Sequence, residues 1–192
     1  MKITRSGSIA RPALFAAMLL SGAAACWSPA ARAASAAEIA RDSTQALQRL
    51  QASEPKARAL AEKAVAVLVF PKIVKAGMLV GGENGDGALF KKGRVEAYYD
   101  LSGASFGLQA GIQTFSYALF FMNEQALQYL DRSDGWALGA APNVVVINKG
   151  AAASMSTTTL TQDVYAIPFG QEGLMAGIGL EGTKITRIHP QQ

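Results

Sequence analysis

The sequence feature that most constrains the fold is a long alternation with glycine on one side. In GASFGLQAGIQTFSYALFF, from Gly103 to Phe121, Phe106, Leu108, Ala110 and Ile112 alternate with Gly107, Gln109, Gly111 and Gln113. A repeat of two belongs to a strand, where successive side chains point to opposite faces. Gly103, Gly107 and Gly111 share one face, so another backbone or a packed helix must approach it closely. The same small-residue spacing pairs helices in lipid. Here the interleaved glutamines, with Ser102 and Ser105, argue against a spanning helix. The C-terminal GLMAGIGLEGTKITRI repeats the device, alternating Leu174, Ala176, Ile178 and Leu180 with Met175, Gly177, Gly179 and Glu181.

Shorter segments complete the architecture. SAAEIARDSTQALQRL places Ile39, Ala46, Leu47 and Leu50 on one side at helical spacing. Ser53 is an N-cap type before a second helix, PKARALAEKA, with Pro55 in its first turn. Val65 to Phe70 reads as a buried strand that Pro71 stops, and 78–82 and 87–90 as short strands around a glycine-rich turn. RVEAYYDL adds a strand with Val95, Ala97 and Tyr99 on one face, and Asn123 caps a mid-chain helix, EQALQYLDR. Strands follow at 136–140, 144–147 and 164–169, with a β-branched polar run at 154–161. The expected fold is α+β: one domain with a mainly antiparallel, strongly curved or partly barrel-like sheet and N-terminal and mid-chain helices.

Residues 70–92, FPKIVKAGMLVGGENGDGALFKK, carry five glycines among lysines and raise the question of a phosphate loop. They fail its test, because Gly82 to Gly87 is followed by Ala88 and Leu89 rather than Lys and Ser/Thr. Glu83, Asn84 and Asp86 offer oxygen ligands, but a calcium loop needs more positions and a terminal Glu. ENGDG reads instead as a tight reversal, since Asn-Gly and Asp-Gly supply positive φ. His189 is the only imidazole and lies at the exposed C-terminal end, so the Ser/Thr hydroxyls lack an activating base. No catalytic residue, metal ligand set or cofactor is expected.

The first 33 residues read as an export leader. Lys2, Arg5 and Arg11 precede an apolar run from Ala13 to Ala25 that is short for a spanning helix. Cleavage is expected before Cys26, with lipidation there, or after Ala33. A single cysteine forms no internal disulfide. Residues 34–192 then form one domain, long enough for a sizeable core. Setting aside Lys2, Arg5, Arg11 and Arg32 from the 18 basic residues leaves 14, against 14 acidic ones. Nucleic-acid binding thereby loses its sustained positive footprint. Positive charge gathers between Lys63 and Arg94, where Lys63, Lys72, Lys75, Lys91, Lys92 and Arg94 face only Glu83 and Asp86. Lysines beside exposed turns suit an anionic surface.

A run of segments in order carries a family resemblance. They are FPKIVKAG from Phe70, Gly81-Gly82 with Gly85 to Leu89, ASFGLQAG from Ala104, Ser116-Tyr117, and Phe120-Phe121. Ser133 to Trp136, Leu160 to Tyr165, and Gly170 to Ile188 continue it. The chain resembles the SYLF domain, or Ysc84 actin-binding family, over roughly 38–188, and more narrowly its bacterial exported, lipoprotein-like members. The resemblance implies phospholipid binding through an amphipathic N-terminal segment and basic residues. Carried onto this chain, these are Ile39, Leu47 and Leu50, with Lys72 and Lys75. Lys91, Lys92 and Arg94 join them on the charge argument. The expectation is a non-catalytic phospholipid-binding protein on the periplasmic side of a cell envelope, with an anionic membrane as partner. A lipid-anchored protein-interaction module with an envelope partner is the alternative. Neither reading expects actin.

Overall fold

Two strands of unusual length organise the structure. The computed structural model describes residues 34–132, 136–137, 143–147, 161–173 and 183–192. Within it, β1 (Ala66–Lys91) and β2 (Arg94–Phe121) are antiparallel partners of 26 and 28 residues, where a usual strand has about 5–6. Helices α1 (Ala36–Ser53) and α2 (Pro55–Lys63) precede them, and α3 (Glu124–Arg132) follows. Four shorter strands complete the described elements: β3 (Trp136–Ala137), β4 (Val144–Val146), β5 (Val164–Gly173) and β6 (Thr183–Ile188). The sheet order is β3-β6-β2-β5-β4, with β1 on β2. Among the described residues only the β4–β5 pairing is parallel. β5 pairs with β2 over Gln113 to Phe121 and β6 over Tyr98 to Gly103, so successive lengths of β2 hold different neighbours.

The sheet is strongly curved, a half-barrel. A Cβ at Gly85 would lie 2.5 Å from the Lys72 carbonyl oxygen, and one at Gly87 2.5 Å from that of Val69. The later part of β1 therefore packs against its own earlier part, which only residues without a side chain permit. Register shifts at Phe70/Ile73, Gly77/Leu79 and Leu89/Phe90 supply the bending.

Two local expectations are corrected. β1 continues through Pro71, because residues 71–72 form a bulge between the Phe70–Tyr117 and Ile73–Phe115 pairs. A bulge tolerates the missing N–H, and the Ser116 hydroxyl donates to the Pro71 carbonyl at 2.7 Å. ENGDG does not reverse the chain either: Glu83 to Gly87 pair continuously with Gly103 to Tyr99. The second long glycine-faced strand falls mostly at 174–182, and the polar run at 154–160; both lie outside the described residues.

Each face of the sheet has its own core. The inner one gathers Leu68, Phe70, Tyr99, Tyr117, Leu119 and Trp136, closed by Ala126, Leu127 and Leu130 of α3. The outer one packs Ala46 and Leu50 of α1 and Ala57 and Leu60 of α2 on Val67, Val69, Phe120 and Ile167. A capping box starts α1: the Glu38 N–H donates to the Ser35 hydroxyl, and the Ser35 N–H to the Glu38 carboxylate. Its buried Ser43 hydroxyl donates to the Val69 carbonyl at 3.2 Å and ties helix to sheet. Ser53, expected to cap α2, instead closes α1 by donating to the Arg49 and Leu50 carbonyls; Glu54 stands at the cap position. Asn123 caps α3 as expected, accepting from the Ala126 N–H at 2.8 Å.

Candidate surface site

The chain reverses at Lys92-Gly93, between the paired residues Lys91 and Arg94. Both turn residues are left-handed, at φ 51° and 76°. That is the two-residue hairpin geometry whose twist matches the flanking strands. Lys92, Gly93 and Arg94 are exposed at its tip. The Lys91 ammonium donates to the Glu124 carboxylate at 3.2 Å, linking the hairpin to the first turn of α3. Among the described residues Lys92 and Arg94 form no ion pair, so their charge faces solvent.

Between this tip and the helices lies a depression of about 640 Å³, lined in part by Leu47, Gln51, Val65, Phe90, Lys91 and Lys92. The structure therefore brings Leu47, Lys91 and Lys92 together, with Glu62 and Glu124 as acidic neighbours. The remaining sequence-derived residues are elsewhere. Lys72 is exposed at the bulge. Lys75, opposite Gln113, is only 9 % exposed. Ile39 and Leu50 are 3 % and 0 % exposed, because the apolar stripe of α1 is used in covering the sheet. Cys26 and the leader lie outside the described residues.

Two hydrogen bonds tie buried polar groups of the inner face, while the Tyr117 hydroxyl, the Gln113 Oε1 and the Trp136 indole N–H are buried without a partner among the described residues. Glu83 is 6 % exposed and accepts from the Thr183 hydroxyl at 2.6 Å. The contact passes over Gly103, where a Cβ would lie 2.9 Å from the same carboxylate oxygen. Burial, and then the Glu83 charge, push the Tyr117 phenol above its ordinary range. Burial likewise raises Tyr99, helped by its 2.7 Å hydrogen bond to Asp131. Asp131 also meets Arg187 at 3.7 Å, which ties α3 to β6. These tyrosines stay protonated and serve packing. His189 is exposed near the C-terminus. Among the described residues no group of three or more His, Cys, Asp or Glu could hold a metal. No described helix is long and apolar enough to cross a membrane.

An exposed basic tip on a strongly curved sheet fits one class, a non-catalytic module that associates with a surface. The profile of a family described as Ysc84, Las17-binding protein actin regulator, matches residues 102–189, a little under half of the chain. Over β2, α3 and the segments through β6, the chain is similar to that family. No curated protein matches it.

The match corrects the sequence reading in several respects. Its span begins at residue 102 rather than near 38, so none of Ile39, Leu47, Leu50, Lys72, Lys75, Lys91, Lys92 and Arg94 lies within it. The family is described as an actin regulator, not as an exported bacterial lipoprotein. The signal-peptide, lipoprotein, periplasmic and envelope assignments are therefore withdrawn. So is the exclusion of actin, which the family's own description contradicts.

Sequence reasoning missed the hairpin tip as a structural unit, although KKGR holds the signal: a glycine between two strand-like runs. It also missed Glu124 as the partner of Lys91, a contact 33 residues apart that no local pattern encodes.

Proposed function

We propose that residues 34–192 form a non-catalytic module that docks on anionic phospholipid surfaces through the tip of the β1–β2 hairpin. The observation that carries this reading is the exposed Lys92 and Arg94 on a tight two-residue turn, without acidic partners among the described residues. Lys91 is held beside them by its ion pair with Glu124, Lys72 adds charge along β1, and Leu47 offers an apolar contact next to the tip. A basic residue near an acidic lipid surface contributes about 1 kcal/mol, screened beyond about 8 Å at physiological salt. Ile39, Leu50 and Lys75 join only where α1 or the sheet opens, since all three are buried in the closed fold.

Flotation with neutral and anionic vesicles tests the reading. The chain should float with anionic vesicles only, and K92E/R94E should weaken recovery by on the order of tenfold or more. Equal recovery at both compositions would sink it.

A second reading rests on the family match. The chain would then be a protein-interaction module serving actin regulation, through the matched β2–α3–β6 region. Co-sedimentation with filamentous actin, unaffected by K92E/R94E, would favour this reading over lipid docking.

A further inference from the structure

A second cavity, away from the hairpin tip, has chemistry of its own. It encloses about 310 Å³ between the α1–α2 junction and β5. Ile147, Ile167 and Phe169 give it an apolar floor, while Arg49, Glu54 and Lys56 stand around it. The Lys56 ammonium is buried and, among the described residues, makes no hydrogen bond and no ion pair with Glu54. A buried cation without a partner is costly unless an anion meets it. Arg49 is exposed and brings a second positive charge to the same cavity.

We propose that this cavity binds a single-chain anionic amphiphile. The carboxylate or phosphate head sits on Lys56 and Arg49, and the alkyl chain lies along Ile147, Ile167 and Phe169. Two cations against one carboxylate select an anion, and the apolar floor selects a tail over a bare inorganic ion. The volume lies at the lower end of small-molecule sites, roughly 300–1,000 Å³, which suits one short chain rather than two. None of Lys91, Lys92 and Arg94 lines it, so this site stands or falls independently of vesicle docking.

Titration calorimetry on the full 192-residue chain, without vesicles and below micelle-forming concentrations, tests the proposal. Decanoate or decyl phosphate should bind saturably at a single site, the tighter of the two identifying the head. Butanoate and decyltrimethylammonium should not bind. K56M should weaken binding at least tenfold and R49Q at least threefold, while K92E/R94E should leave it unchanged. Should circular dichroism show K56M unfolded, R49Q carries the test, because its exposed side chain is removed without disturbing the core. Binding of the trimethylammonium probe as strong as that of decanoate overturns the proposal. So does wild-type affinity in R49Q, or the failure of both anions to bind.

Discussion

Gly85 and Gly87 are where single residues shape the sheet. A Cβ at Gly87 would meet the Val69 carbonyl at 2.5 Å and the Phe70 ring at 2.6 Å, and a backbone oxygen has little room to yield. Gly87→Ala should therefore cost roughly 1–3 kcal/mol or more, the range for overpacking, read as a lower urea midpoint. Asp86, between them, gives a pH signature. It faces Asp100 across the strands, while Asn84 donates to Asp100 at 2.6 Å. Burial first, and the Asp100 charge second, raise the Asp86 carboxyl above its ordinary 3.8. The folded chain then holds this proton to higher pH than the unfolded chain does, so stability falls as pH rises from 3.8 through the raised value. Asp86→Asn should stabilise the fold at neutral pH by up to about 1 kcal/mol, the range for opposed like charges on paired strands. That gain should vanish below pH 3.8 in thermal unfolding scans. Sequence located these glycines but misassigned their use. Asn-Gly and Asp-Gly satisfy a turn and a close approach equally well, and only the return of β1 onto itself distinguishes the two.

The legibility of each element followed the range of the forces that shape it. The repeat of two across 103–121 and the helical spacing of Ile39, Ala46 and Leu50 are local, and both gave the right element. Strand length was not local. β1 crosses Pro71 because a bulge and the Ser116 hydroxyl, 45 residues away, accommodate it. The apolar stripe of α1 was legible, but it suits a sheet and a membrane equally; packed on the sheet, it is withdrawn from a membrane. Ser43 is the polar anchor of that docking. Ser43→Ala should lower stability by about 0.5–1.5 kcal/mol. Hydrogen exchange in α1 should quicken more than in β2, and equal changes in the two would argue against a local anchor. At the hairpin, Gly93→Ala should cost about 1–2 kcal/mol through its left-handed φ alone, since nothing among the described residues lies within 4 Å of the added Cβ.

Across the whole molecule, the fold class was legible and the candidate site only in part. Charge counting drew attention to the segment from Lys63 to Arg94, yet the fold disperses its members. Lys91, Lys92 and Arg94 reach the hairpin tip, Lys72 a bulge, and Lys75 the inner face. Such a partition depends on strand parity counted through bulges, which one sequence does not reveal. The partial family match is what favours the proposed actin-regulatory reading, and the chemistry of the tip is what favours the proposed lipid docking. The two are compatible, because the matched span begins beyond the hairpin. The central claim is that docking uses the exposed tip while α1 remains on the sheet. Hydrogen exchange with and without anionic vesicles tests it most directly. The account predicts new protection around Lys91 to Arg94, with protection in Ala36–Ser53 unchanged. Loss of the sheet-side protection in α1 on vesicle binding, with none gained at the tip, would contradict it.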